Sequence, residues 1–288
     1  MGRLYESLKR AEMDRRQPGE PGSQPTHPME FLSSIIAEPT ELEGASTATI
    51  AASVTSHLVA LTDPNSLAAE KFRILVTRLE NLRNERELKS LLVTSSVINE
   101  GKTFVSGNLA VTLAKSGGSK VLLVEGDLHR PALRSLLGLT GLRGLGNWWS
   151  GRKENLAHYL YKLNDMPLWL LSAGVVLDQP SQILQSAQFA EAFAKLGGCF
   201  DWVIVDSAPM LPTGDVNLWL RLVDQMLLVV REGVAPVKAL EQGLSGLDKP
   251  KLVGVVLNEA SESDQAKYAG EYYYGGPKRA KKAPNEKQ

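Results

Sequence analysis

The stretch "VTSSVINEGKTFVSGNLA", residues 93–110, decides how this chain folds. It contains Gly101-Lys102-Thr103, the end of the phosphate-loop pattern G-x-x-x-x-G-K-[ST], but the opening glycine of that pattern falls at Ser96. The first glycine serves the turn out of a strand, and serine tolerates turns. Backbone N–H groups of residues 98–103 can still converge on phosphate oxygens, helped by the positive end of a helix starting near Lys102. Gly101 is the stricter requirement, because the backbone there approaches the phosphate closely. Ser96 thus weakens the pattern without removing its donors. Nucleotide contacts are expected from Ser96, Asn99, Glu100, Gly101, Lys102, Thr103 and Phe104. Lys102 would reach the β- and γ-phosphates, and the Thr103 hydroxyl would ligate magnesium.

Around this loop, short apolar runs alternate with helical stretches from residue 88 onward. The runs are "SLLVTSS", "KVLLVEG", "LWLLSAG", "WVIVDSA", "QMLLVVRE" and "KLVGVVLNE". They are continuously apolar, as strands buried on both faces are. Between them, "FVSGNLAVTLAKSG" and "SQILQSAQFAEAFAKLGG" have helical period and length. The alternation predicts an α/β fold, a mostly parallel central sheet flanked by helices, with ligands at the carboxyl ends of the strands. Upstream, "DPNS" is a helix start with Asn65 or Ser66 as N-cap, and Leu67, Phe72, Leu75, Leu79 and Leu82 then share one face. The stretch "LGNWWSGRKENLAHYLYKL" reads as a helical insert.

The ends have a different composition. Residues 1–16 have the spacing of a short amphipathic helix, a candidate to dock on a partner, and "QPGEPGSQPTHP" is a linker that cannot bury a core. After residue 260 the tail is basic, glycine-flanked and rich in tyrosine, and should be mobile. The expected organisation is therefore an N-terminal helix and linker over 1–63, a folded domain over 64–260 and a tail over 261–288. Lysine plus arginine (32) equals aspartate plus glutamate (32), so the whole chain is no electrostatic match for nucleic acid. The single cysteine, Cys199, cannot form an internal disulfide, and four histidines lack metal-ligand spacing. No apolar run approaches the roughly 18–20 residues that a membrane helix needs, so the expected location is cytoplasmic.

Two more strand ends carry acids. "VLLVEGDLHRP" places Glu125 and Asp127 after one buried strand, and "WVIVDSAP" places Asp206 after another. A nucleoside triphosphate uses magnesium to bridge its β- and γ-oxygens, and carboxylates hold that ion or its waters.

The order "EGKTFVSGNLAVTLAKSG", "VLLVEGDLHRP", "DWVIVDSAPMLPTGD", "DQMLLVVREGVAP", "LVGVVLNE" and a tyrosine-rich tail resembles the bacterial tyrosine autokinases of capsule and exopolysaccharide synthesis. These belong to the MinD/ParA-like group of P-loop NTPases. The resemblance covers about residues 64–275 and includes "SAGVVLDQPSQILQSAQF". It implies ATP and Mg2+ as cofactors, Gly101, Lys102 and Thr103 as Walker A, and Glu125, Asp127 and His129 as the Walker A′ motif. It further implies Asp206 as the Walker B acid and Asn258 near the adenine. The catalytic set would be Lys102, Glu125, Asp127 and Asp206, with Thr103, Asp127 and Asp206 on the metal. The implied acceptors are Tyr268, Tyr272, Tyr273 and Tyr274. The implied partners are a membrane-anchored polysaccharide co-polymerase as activator, a cognate tyrosine phosphatase and further copies of the chain. That activator would hold the protein at the inner face of the membrane.

Three positions depart from the family pattern. Glu125 stands for aspartate, His129 for arginine, and Val76 closes an E-x-x-R-x-x-R pattern begun by Glu70 and Arg73. A positioning ATPase of the MinD or ParA class is the main rival reading. It expects a second lysine just after the loop's opening residue, where this chain has Val97. A nucleotide-binding regulator without phosphotransfer is the other.

Overall fold

The computed structural model describes residues 42, 45–50, 57–151, 155–247 and 251–260. Expectations placed on residues 1–16, the linker and the tyrosine tail, Tyr268, Tyr272, Tyr273 and Tyr274 included, lie outside the described residues.

Eight strands form one sheet: β1 (Ser46–Ala48), β2 (Ser90–Ser95), β3 (Val121–Glu125), β4 (Leu160–Leu163), β5 (Leu168–Leu171), β6 (Trp202–Asp206), β7 (Gln225–Arg231) and β8 (Leu252–Asn258). Their order is β1-β4-β5-β3-β6-β2-β7-β8. Six strands, β5 through β8 in that order, are parallel, and they are the six apolar runs of the sequence. β4 pairs antiparallel with β5, and β1 pairs parallel with β4. In β3, β5 and β6 every residue is buried, because helices cover both faces.

Among the described residues the α-helices are α1 (Val59–Thr62), α2 (Leu67–Glu85), α3 (Lys102–Gly117), α4 (Leu133–Leu137), α5 (Leu145–Gly151), α6 (Ser181–Gln185), α7 (Ala187–Gly198), α8 (Asp215–Trp219) and α9 (Val237–Ser245). Helix α3 is buried on every residue from Val105 to Ala114, so it sits between the sheet and the outer helices. Ser66 caps α2, its side chain accepting the Ala69 N–H at 3.2 Å. The buried stripe of α2 is Ala69, Phe72, Val76 and Leu79, whereas Leu67 is 66% exposed. Leu75 and Leu82 pack half-buried against the same core, so the expected face holds except at Leu67, and Ala69 and Val76 join it. Packing on α3 decides this: Phe72 meets the Phe104 ring at 5.9 Å. Val76 consequently faces the core, and Glu70 pairs locally with Arg73 at 2.7 Å.

Two expectations are corrected here. The insert read as helical contains α5, a 3-10 turn (Leu156–Tyr159) and then strand β4. Its "LYKL" is too short for periodicity to separate strand from helix, and pairing with β5 decides it. The folded unit also begins before residue 64. β1 joins the sheet edge, and α1 is fastened to α3 by Asn108, whose side chain accepts the Ala60 N–H (3.3 Å) and donates to the His57 carbonyl (2.8 Å). Leu58 beside it is fully buried, a contribution of about 1.5–3 kcal/mol.

Candidate active site

The carboxyl ends of β3, β6 and β2 are neighbours in the sheet, and each delivers a charged group to one place. β2 runs into the loop 96–101 and then α3. Ser95 and Ser96 accept from the backbone of the loop after β6, Met210 N to Ser95 O at 2.8 Å and Leu211 N to Ser96 O at 3.4 Å. Positive φ occurs at Asn99 (65°) and Gly101 (94°) but not at Ser96. No glycine is therefore required at position 96. This is why the loop closes on serine.

Gly101 is constrained twice. Its φ disfavours any side chain, and a Cβ there would lie 2.1 Å from Asn258 Nδ2. Asn258, at the end of β8, donates that amide to the Glu100 carbonyl at 3.0 Å. The structure thus places Asn258 against the backbone of the loop. Gly101→Ala should destabilise the fold by about 1–2 kcal/mol from the left-handed conformation alone. By pushing Asn258 off the loop it should also weaken magnesium-nucleotide binding about tenfold or more, read by calorimetric titration.

The Glu100 side chain is buried and turned inward. It accepts from Val97 N at 2.9 Å and faces Arg231 N at 3.4 Å. The Arg231 guanidinium in turn donates to the Asn99 carbonyl at 3.4 Å and pairs with Glu259. Phe104 packs on Phe72 rather than toward the loop. Glu100 and Phe104 can reach a nucleotide only through their backbone N–H groups. Arg231 falls within "DQMLLVVREGVAP", one of the stretches that carry the resemblance, but no site role was expected of it.

Lys102 Nζ stands 3.3 Å from Asp127 Oδ2, and the other Asp127 oxygen accepts the Arg130 N–H at 2.9 Å. Asp206 is fully buried on β6, with Oδ1 accepting from Ser106 Oγ at 3.2 Å. Burial pushes the Asp206 carboxyl up to about 7, against the pull of Lys102 and of the Thr103 hydroxyl, while Asp127 adds to the rise and Ser106 opposes it. Asp206 Oδ2 and Ser96 Oγ are buried without a hydrogen-bond partner. Such orphaned oxygens mark places for a ligand or its metal shell. Among the described residues no cluster of three or more His, Cys, Asp or Glu side chains could hold a metal by itself.

The other Walker A′ residues turn elsewhere. Glu125 is level with Asp206 in the sheet register, yet its carboxylate binds Arg134, Ser172 and Ala173. His129 lies 3.0 Å from the buried Asp215 Oδ2 at the start of α8. Ser106, Arg134 and Ser172 were not expected. Ser106 lies one helical turn after Lys102 and could have been found from that spacing, whereas Arg134 and Ser172 are linked to the loop by no spacing and come near it only through the tertiary fold.

A glycine-constrained loop, a lysine at the head of the following helix and a buried aspartate on the adjacent strand define a P-loop nucleotide-binding protein with the MinD/ParA-like sheet. No protein-family model matches the chain. It is 29% identical over 221 residues to tyrosine-protein kinase YwqD of Bacillus subtilis, covering 76% of this chain and 91% of the relative. With CapB of Staphylococcus aureus, a candidate tyrosine-protein kinase, it shares 31% over 215 residues, 74% of this chain and 92% of CapB. The kinase domain of the Escherichia coli tyrosine kinase ETK superposes with a TM-score of 0.61 at 26% identity, covering 78% of this chain and 97% of that one. The chain belongs to the bacterial tyrosine-protein kinases. Among the described residues no helix is long and apolar enough to cross a membrane.

Proposed function

We propose that this kinase transfers the γ-phosphate of magnesium-bound ATP to its own C-terminal tyrosines, Tyr268, Tyr272, Tyr273 and Tyr274. The observation that carries this is the convergence, on three adjacent strand ends, of the Lys102–Asp127 pair and the unpartnered Asp206 oxygen. ATP with its metal supplies the activated phosphoryl group. Thr103 and Asp206 would hold the metal or its waters, and Lys102 would offset charge on the β- and γ-phosphates. Asp127 is the Walker A′ carboxylate that faces Lys102, and we assign it to orient the tyrosine hydroxyl. The new O–P bond forms as the bond to ADP breaks, and the phenolic proton passes to Asp127 or water. Because such transfer is largely dissociative, a hydroxyl of reference pKa near 10 needs positioning more than prior ionisation.

Asn258, near the end of the described residues, lies beside the loop. Tyr268 is ten peptide units further along the chain, a span of at most about 36 Å, which would let the hydroxyls reach their own site or a neighbour's. Each phosphate would add nearly two negative charges and repel an acidic neighbouring surface. We assign this switch to polysaccharide assembly and export, with a membrane-anchored co-polymerase as activator, a tyrosine phosphatase to reset it and self-association as its readout.

The test is incubation of the full chain with labelled ATP and magnesium, with and without a cytoplasmic fragment of a candidate activator. Label should appear on phosphotyrosine and fall to background when the four tail tyrosines become phenylalanine. Undiminished label in that variant would exclude the tail as acceptor. ATP hydrolysis stimulated by DNA or vesicles, without phosphotyrosine, would make the protein a positioning ATPase instead.

A further inference from the structure

We infer that Glu125 is a positioning residue, the centre of a buried clasp with Arg134 and Ser172 that holds the Asp127 loop, and that it is neither metal ligand nor base. This rests on the phosphotransfer reading for its consequence, though not for its geometry. Glu125 ends β3 and is fully buried. Its Oε1 accepts the backbone N–H of Arg134 at 3.0 Å. Its Oε2 accepts from Ser172 Oγ at 3.1 Å and Ala173 N at 3.0 Å, and lies 3.0 Å from Arg134 Nε. An ionised carboxylate offers about four acceptor sites. Oε2 carries two hydrogen bonds with the Arg134 guanidinium against it and Oε1 carries one, so this fully buried carboxylate is taken up by the fold.

The donors come from elements that need joining. Arg134 lies in the first turn of α4, where backbone N–H groups lack helical partners, and a carboxylate there satisfies one of them. Ser172 and Ala173 follow β5, the strand beside β3. Residues 126–133 run from Glu125 to Arg134 and carry Asp127, His129 and Arg130. Closing both ends of that loop on one carboxylate fixes where Asp127 meets Lys102 at 3.3 Å. An aspartate at 125 is one methylene shorter and cannot keep all three hydrogen bonds and the Arg134 ion pair from the same backbone. The longer side chain therefore turns this position from the phosphate site toward the fold.

The test compares Glu125→Gln, Arg134→Ala, the double variant and the milder Ser172→Ala in the full chain, with three readouts. The first is Tm without nucleotide or metal. Arg134→Ala and Glu125→Gln should each lower it by about 5–15 °C, since each leaves buried groups unpaired. The double variant should lower it by less than the sum of the two, because the residues act together. The second readout is the magnesium concentration giving half-maximal nucleotide affinity, which should stay within about twofold of wild type in Arg134→Ala and Glu125→Gln alike. The third is phosphotyrosine formation. Its kcat should fall about tenfold to a hundredfold in both variants through misplacement of Asp127, with KM for ATP little changed. If either variant fails to fold, Ser172→Ala should still show a Tm loss of a few degrees with unchanged magnesium dependence. Two results would overturn the clasp: unchanged metal-free Tm in Arg134→Ala or Ser172→Ala, or a magnesium requirement raised more than about tenfold by Glu125→Gln and not by Arg134→Ala. A wild-type chain that forms no phosphotyrosine would sink the kinase mechanism and leave the Tm and magnesium results to decide the clasp.

Discussion

Lys102→Met is expected to lower phosphotyrosine formation by about a hundredfold to a thousandfold, the usual loss when one preorganised charge-stabilising donor is removed. Methionine keeps most of the apolar stem, so the head of α3 should stay packed and the variant should fold. What disappears is the ammonium that stands 3.3 Å from Asp127 and draws the Asp206 carboxyl downward. Two acids then face the phosphate site without their cation, and the Asp206 carboxyl should rise further. Nucleotide affinity should weaken by about tenfold to a hundredfold, the equivalent of one charge-assisted hydrogen bond. Binding measured by calorimetry and label measured on tyrosine should therefore separate, the second falling further than the first. Label that persists in this variant would point to a contaminating kinase.

Asp206→Asn should act in two opposite directions. Transfer should fall by about a hundredfold or more, since the buried strand-end oxygen proposed to hold the metal shell is replaced by an amide. The metal-free protein should become more stable at neutral pH. In the folded state burial raises the Asp206 carboxyl from 3.8 to about 7. Between those values the folded chain holds a proton that the unfolded chain has released, so stability falls as pH rises through this range and the penalty is complete above about 7. Its full size is on the order of 4 kcal/mol for a shift of that extent. Asparagine cannot ionise, so the variant should lose this slope. Melting temperatures from pH 5 to 8 check it: wild type should decline relative to the variant. A parallel pair of curves would remove the burial argument. Magnesium-nucleotide binding to wild type below pH 7 should release a proton, seen as a binding enthalpy that depends on the buffer.

Sheet and loop were legible because their signals are local. Six uninterrupted apolar runs announced six strands, and all six are the parallel strands, although β8 lies at the sheet edge with Val255 and Leu257 exposed rather than buried on both faces. Gly101, Lys102 and Thr103 could be read from spacing, since a loop between strand and helix is shaped by its own residues. β1 and β4 were not legible. They are three and four residues long and exist because a neighbour offers hydrogen bonds, which no periodicity over so short a span reports. On α2 the packed face was legible from Phe72 to Leu82, and only the exposure of Leu67 beside the buried Ala69 was not.

What the sequence alone determined is the alternation of elements, the phosphate loop and the acidic residues at the strand ends. Each depends on residues adjacent in the chain. Only the tertiary structure decided which partners each acid meets. Sheet order puts β6 between β3 and β2, so Asp206 is stripped of water beside Lys102, while the neighbour on the other side of β3 supplies Ser172 and Ala173 to Glu125. A carboxylate takes its character from the donors and dielectric around it, and for Glu125, Asp127 and Asp206 much of that comes from other elements: Ser172 and Ala173 for Glu125, Lys102 for Asp127 and Ser106 for Asp206.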